Sequence, residues 1–126
     1  MAPRLRRMYT YRPRRRTRGK EIYKQAIHDI KHRLSTDVNG FLVLWKQGNT
    51  TQLVNAKNQV KADFLKHSEE MLHLAEKMGP KYVRAVRNYL DSVDAIVDTS
   101  EVELDDAKVN SCFVASEKLD RELLAS

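Results

Sequence analysis

An all-α fold, a compact bundle of four to five helices behind an extended Arg-rich N-terminal arm, is predicted by three observations. The 126-residue chain holds only four Gly and three Pro, two of the Pro within its first twenty residues, so the rest is poor in turn-formers and favours helix over a many-stranded sheet. Apolar residues then recur at intervals of three and four from Lys20 onward. The charge is divided: residues 1–20 carry +9 and the remaining 106 carry −3. The division into an arm over residues 1–19 and a helical domain over 20–126 follows from that break.

The arm, MAPRLRRMYTYRPRRRTRGK with the first domain residue included, has eight Arg, one Lys and no acid. It lacks the continuous amphipathic face of a transit peptide, which Pro13 and the Arg run interrupt. Arg carries a permanent charge on a planar fork that fits phosphate oxygens two at a time, and closely set Arg can reach successive phosphates. Pro3, Pro13 and Gly19 predict an extended course along a groove or backbone, with Met8, Tyr9 and Tyr11 placed against sugars or bases.

The first helix is read from Ile22, Tyr23, Ala26, Ile27, Ile30 and Leu34, with Lys20, Lys24, His28 and Lys31 on a solvated cationic face that continues the arm. A second, short helix is predicted from a cap at Ser35 or Thr36 through Val38, Phe41, Leu42 and Trp45 to a stop at Gly48-Asn49, with Gly40 as its weak point. Thr50 or Thr51 starts a long helix through Leu53, Ala56, Val60, Phe64, Met71, Ala75 and Met78. It ends at Gly79-Pro80, where Gly stops one helix and Pro opens the next. That next helix buries Tyr82, Val86, Tyr89, Val93, Ile96 and Val97. Lys81, Arg84 and Arg87 take its wet face first, and Asp91, Asp94 and Asp98 take nearly the same face later. A capping box at Ser100 to Glu103 is read as the start of the last helix, whose dry side holds Leu104, Val109, Cys112, Phe113, Leu119 and Leu123.

Catalysis finds no foothold. HDIKH at residues 28–32 spaces two His four apart, but Asp stands where the zinc motif needs Glu and no further ligand is marked, so His28 and His32 are read as exposed helix residues. Cys112 among Val109, Phe113 and Val114 is read as a core thiol. No Gly-rich phosphate loop is present, and no metal, cofactor or small-molecule substrate is expected. No apolar run approaches the roughly 18 residues that cross a bilayer. One cysteine precludes an intrachain disulfide and fits an intracellular or virion-borne chain. Nor is there a base-reading module.

The expected partner is therefore nucleic acid, double-stranded DNA above all, bound through phosphate by Arg4, Arg6, Arg7, Arg12, Arg14, Arg15, Arg16, Arg18, Lys20, Lys24 and Lys31. Charge also falls along the chain: residues 21–90 carry +4 and residues 91–126 carry −7. Opposite-sign ends suit head-to-tail contact, so Lys81, Arg84, Arg87, Asp91, Asp94 and Asp98 are expected at subunit contacts. An Arg-rich arm feeding a helix with a basic face and a bundle of about a hundred residues resembles the major capsid proteins of filamentous and rod-shaped archaeal DNA viruses. That resemblance implies paired copies, or paired paralogues, wrapping A-form double-stranded DNA in a helical virion assembled in the host cytoplasm. A cellular nucleoid protein or nucleic-acid-binding adaptor with a basic tail is the second reading.

Overall fold

The structure, a computed structural model, describes the backbone of residues 2–125 and the side chains of residues 21–125. Its four helices are α1 (Ala2–Gln47), α2 (Thr50–Met78), α3 (Pro80–Asp98) and α4 (Asp106–Ala125). The all-α expectation holds, with four helices.

Two boundaries differ from the sequence reading within α1. The backbone of the arm joins this helix from Ala2 instead of running extended. Arg is a good helix former, Pro3 falls in the first turn where no N–H is needed, and Pro13 removes one intrahelical bond without ending the helix. Nor does the chain break at Ser35. Ser35 Oγ lies 2.6 Å from the Tyr89 hydroxyl, and Thr36 Oγ1 donates back to the His32 carbonyl at 2.8 Å, so neither side chain caps a new helix. The apolar stripe Ile27, Ile30, Leu34, Val38, Phe41 and Leu42 is buried without interruption, and that continuous burial carries α1 through Gly40.

The remaining punctuation follows local chemistry. Gly48 ends α1 at φ 70°, and Asn49 Oδ1 caps α2 by accepting from the Gln52 N–H at 3.3 Å. Gly79 turns the chain in a single residue at φ 130°, a value that favours glycine, and its N–H reaches the Ala75 carbonyl while Pro80 begins α3. The expected box at Ser100 instead closes a turn: the Glu103 and Leu104 N–H groups bond the Ser100 carbonyl. The cap of α4 is Asp105, whose Oδ1 accepts from the Lys108 N–H at 2.9 Å. The box motif marked the connection but not the helix start, because two acids at 105 and 106 offer a better first turn.

Short connections make successive helices antiparallel. α2 packs against α1 and α3, α3 packs against α4, and α1 meets α4 along a narrower seam. The core is filled by Ile27, Leu34, Phe41, Val60, Met71, Val86, Tyr89, Val93, Ile96 and Leu119. Phe113, expected in this core, is instead half exposed, as is Val114; the two lie outside the 109, 112, 115, 119, 123 line that faces α3. Among the described residues no helix is long and apolar enough to cross a membrane.

Candidate nucleic-acid interface

Helix α3 presents Lys81, Arg84 and Arg87 to solvent, as the sequence predicts. Because α4 runs back antiparallel, its C-terminal half brings Lys118 and Arg121 alongside them, and the two helices bound a cleft of about 400 Å³ floored by Ala85. A second groove, about 540 Å³, runs along the other flank of α3 between Glu76, Val83, Arg84, Arg87 and Asp91. Lys81 Nζ stands 3.4 Å from Glu122, and Arg121 stands 3.8 Å from Glu117. Arg84, Arg87 and Lys118 make no ion pair among the described residues. Lys118 and Arg121 were missed from sequence. Their spacing of three marks one face of α4, but only the antiparallel pairing puts that face beside Arg84.

The arm enters the bundle at this same end. Lys77, at the close of α2, lies 5.3 Å over the ring of Tyr23 in α1, and Glu21, Lys24 and Gln25 share a cleft with Asp120 and Leu123 near the end of α4. Residues 77–90 carry four bases and no acid. The expected phosphate contacts of Arg4, Arg6, Arg7, Arg12, Arg14, Arg15, Arg16, Arg18 and Lys20 rest on side chains outside the described residues.

Lys24 and Lys31 require a correction. Both were placed on a solvated face, and both are buried, at 9% and 8% exposure. Lys31 Nζ pairs with Asp120 Oδ2 at 2.8 Å across the α1–α4 seam and lies 6.0 Å from the Tyr89 ring centre; Lys24 Nζ is 3.4 Å from Glu21. The apolar stripe of α1 locates the side that meets α2, but α1 has a second neighbour in α4, so its buried sector is wider than the stripe. Neither lysine presents its ammonium as an open phosphate contact.

The opposite end of the bundle is acidic. Residues 94–106 hold six acids and no base, and Asp91, Asp94 and Asp98 are all exposed, as expected. The α3–α4 turn is tied down from two sides. Trp45 Nε1 donates to the Glu101 carbonyl at 3.1 Å, and Lys57 Nζ donates to the Thr99 carbonyl at 3.0 Å while standing 3.8 Å from the Glu101 carboxylate. Val102 at the tip of this turn is 96% exposed.

Two polar features lie away from both ends. Asp37 of α1 faces Asp63 of α2. Burial, and a hydrogen bond to the Asp63 carboxylate, raise the Asp37 carboxyl to about 6, while that same bond holds Asp63 below its ordinary value. Below about pH 6 Asp37 therefore keeps a proton that it can donate to Asp63. His67, one turn beyond Asp63, is buried with its Nδ1 lacking a hydrogen bond, 3.8 Å from Glu70 Oε2. It continues the 60, 67, 71 stripe, a position read over in the sequence because His is polar. His28 and His32 are exposed and stack at 6.4 Å. No group of three His, Cys, Asp or Glu among the described residues is arranged to hold a metal ion. Cys112 is buried, and that burial pushes its thiol up, away from the reactive thiolate.

No protein-family model, curated protein or solved structure matches the chain.

Proposed function

We propose that the chain is a structural virion protein that coats and packages double-stranded DNA without sequence specificity in a helical nucleocapsid. Its neighbours there are further copies or a paralogous coat subunit, assembled in the host cytoplasm. Its work is binding, not catalysis. One observation carries the reading: the N-terminal segment with eight Arg enters the bundle at the end where Lys77, Lys81, Arg84, Arg87, Lys118 and Arg121 gather. Cations spread along the sequence thereby join the arm at one pole, with Glu76 and Glu122 among them. Such a pole follows phosphates without reading bases.

Salt dependence tests this. If the arm neutralises about eight phosphates, log affinity falls against log salt with a slope near −7, by the factor of roughly 0.9 per contact. Deleting residues 1–19 removes most of that slope. Replacing Lys77 and Arg87, which lie outside the cleft between α3 and α4, with Gln flattens it by about a further 2, roughly one per cation, equally on unrelated sequences. Electron micrographs of the protein on long DNA then show filaments of regular repeat. A slope unchanged by arm deletion, or scattered decoration in place of filaments, rejects the coat reading.

A further inference from the structure

We infer that the α3–α4 turn of one copy docks into the α3/α4 cleft of the next, so that the protein associates head to tail in the absence of nucleic acid. This contact goes beyond the coat reading and does not depend on it. Its receptor is the cleft floored by Ala85 and rimmed by Lys81, Arg84, Lys118 and Arg121, in which Arg84 and Lys118 make no ion pair among the described residues. The occupant lies at the other end of the same helix pair. There Glu101-Val102-Glu103 projects an almost fully exposed Val102 between two carboxylates, with Asp98, Asp105 and Asp106 around it.

Three features favour a second copy over a phosphate backbone in this cleft. The rim includes Glu122, 3.4 Å from Lys81 Nζ, and a polyphosphate laid there would meet this carboxylate as well as the bases. A protein turn of alternating carboxylate and apolar groups places its acids selectively. The floor is apolar at Ala85, which gives Val102 a surface to cover and phosphate none. Finally, receptor and occupant face opposite ways along α3, whose 19 residues span about 28 Å at 1.5 Å per residue. Docking one into the other leaves a free turn and a free cleft at the ends of every pair, the heterologous arrangement that grows into open chains or closes into rings.

Sedimentation of the full chain without DNA, at ionic strength of about 0.05 M so that charges separated by about 10 Å still interact, tests the contact. The protein is expected to show a mass that rises with concentration above the monomer's 14.6 kDa. A cleft variant, Arg84→Glu with Lys118→Glu, and a turn variant, Asp98→Lys with Glu103→Lys, should each remain monomeric with unchanged helical circular dichroism. Mixed in equal amounts they should regain growth with concentration, because the intact turn of the first meets the intact cleft of the second and the reversed turn of the second meets the reversed cleft of the first. All four substitutions in one chain should restore growth. A monomeric parent protein, a mixture that stays monomeric, or a cleft variant that still self-associates while losing DNA affinity each overturns the inference, the last by assigning the cleft to nucleic acid. Failure of the salt-slope experiment with these masses intact would reject the coat reading alone.

Discussion

Two groups of cations occupy one end of this bundle and differ in every physical respect except charge. Lys24 and Lys31 point inward; Lys31 is locked on Asp120 at 2.8 Å beside the Tyr89 ring. Arg84, Arg87 and Lys118 point outward and meet no carboxylate within ion-pair distance among the described residues. The inner pair belongs to folding, since a lysine taken from water must be compensated by its partner. The outer three add little to a monomer, where an exposed cation is worth a few tenths of a kcal/mol at best, and remain available to something outside it. Proximity along the chain to an Arg-rich arm is therefore no guide to which cations are left open to a partner. What decides is how many helices surround the one that carries them.

The largest effect is expected from the inner group. Lys31→Ala is expected to destabilise the protein by about 2 kcal/mol in urea unfolding, from the lost pair and the cavity left beside Tyr89; the half-exposed Asp120 keeps the loss below that of a fully buried pair. Lys31→Met should recover part of it by keeping the apolar stem against Tyr89. Next in size is Tyr89→Phe, which removes the hydroxyl shared with Ser35 and the Lys31 carbonyl; a loss of about 1 kcal/mol is expected, with Ser35→Ala costing no more than that.

The Asp37–Asp63 pair makes stability depend on pH. The folded-state value of Asp37, about 6, lies above its ordinary 3.8, so between these values the folded chain retains a proton that the unfolded chain has released. That stabilisation is full below about pH 4 and is lost as pH rises through 6. Asp63, held low, contributes in the opposite sense, with stability lost only as pH falls below its ordinary range. The melting temperature is expected to decline from pH 4 to 6.5. Asp37→Asn should flatten that decline and raise the melting temperature at pH 7.5 by a few degrees, because an amide donates to Asp63 without charge. The smallest effect belongs to the outer cations: Arg84→Ala or Lys118→Ala should move stability by less than about 0.5 kcal/mol, a change readable by the same urea titration used for Lys31. A loss as large as that of Lys31→Ala would dissolve the distinction between the two groups.

The unequal legibility of the molecule has the same origin. Helix α3 was readable in full. It is amphipathic through its length, it lies between one glycine stop and one exposed turn, and its wet and dry residues fall where a period of 3.6 puts them. Helix α1 was misread at its start, at an internal joint and on one flank. Its apparent joint at Ser35-Thr36 consists of two good caps whose hydroxyls are engaged elsewhere, and Lys24 and Lys31 are buried by a neighbour some ninety residues away in sequence. Periodicity reports one face of a helix, whereas the partners that widen that face are long-range. For the same reason the cleft was half visible: Lys81 and Arg84 stood out on α3, and Lys118 and Arg121 did not until α4 was laid beside it. The hydrogen-bonded pair of Asp37 and Asp63 had no signal at all in the sequence, since an acid on each of two helices is unremarkable until they face one another.

The bonds at the acidic end bear on how quickly a partner can be recognised. Trp45 and Lys57, from α1 and α2, hold the Glu101 and Thr99 carbonyls of the α3–α4 turn. The turn's conformational freedom is thus surrendered once, when the bundle folds, and is not demanded again at each encounter. In the proposed head-to-tail contact a pre-organised tip meets its receptor without a further ordering step. Its association rate is accordingly set by diffusion and charge, with the rearrangement of the loop removed from the path.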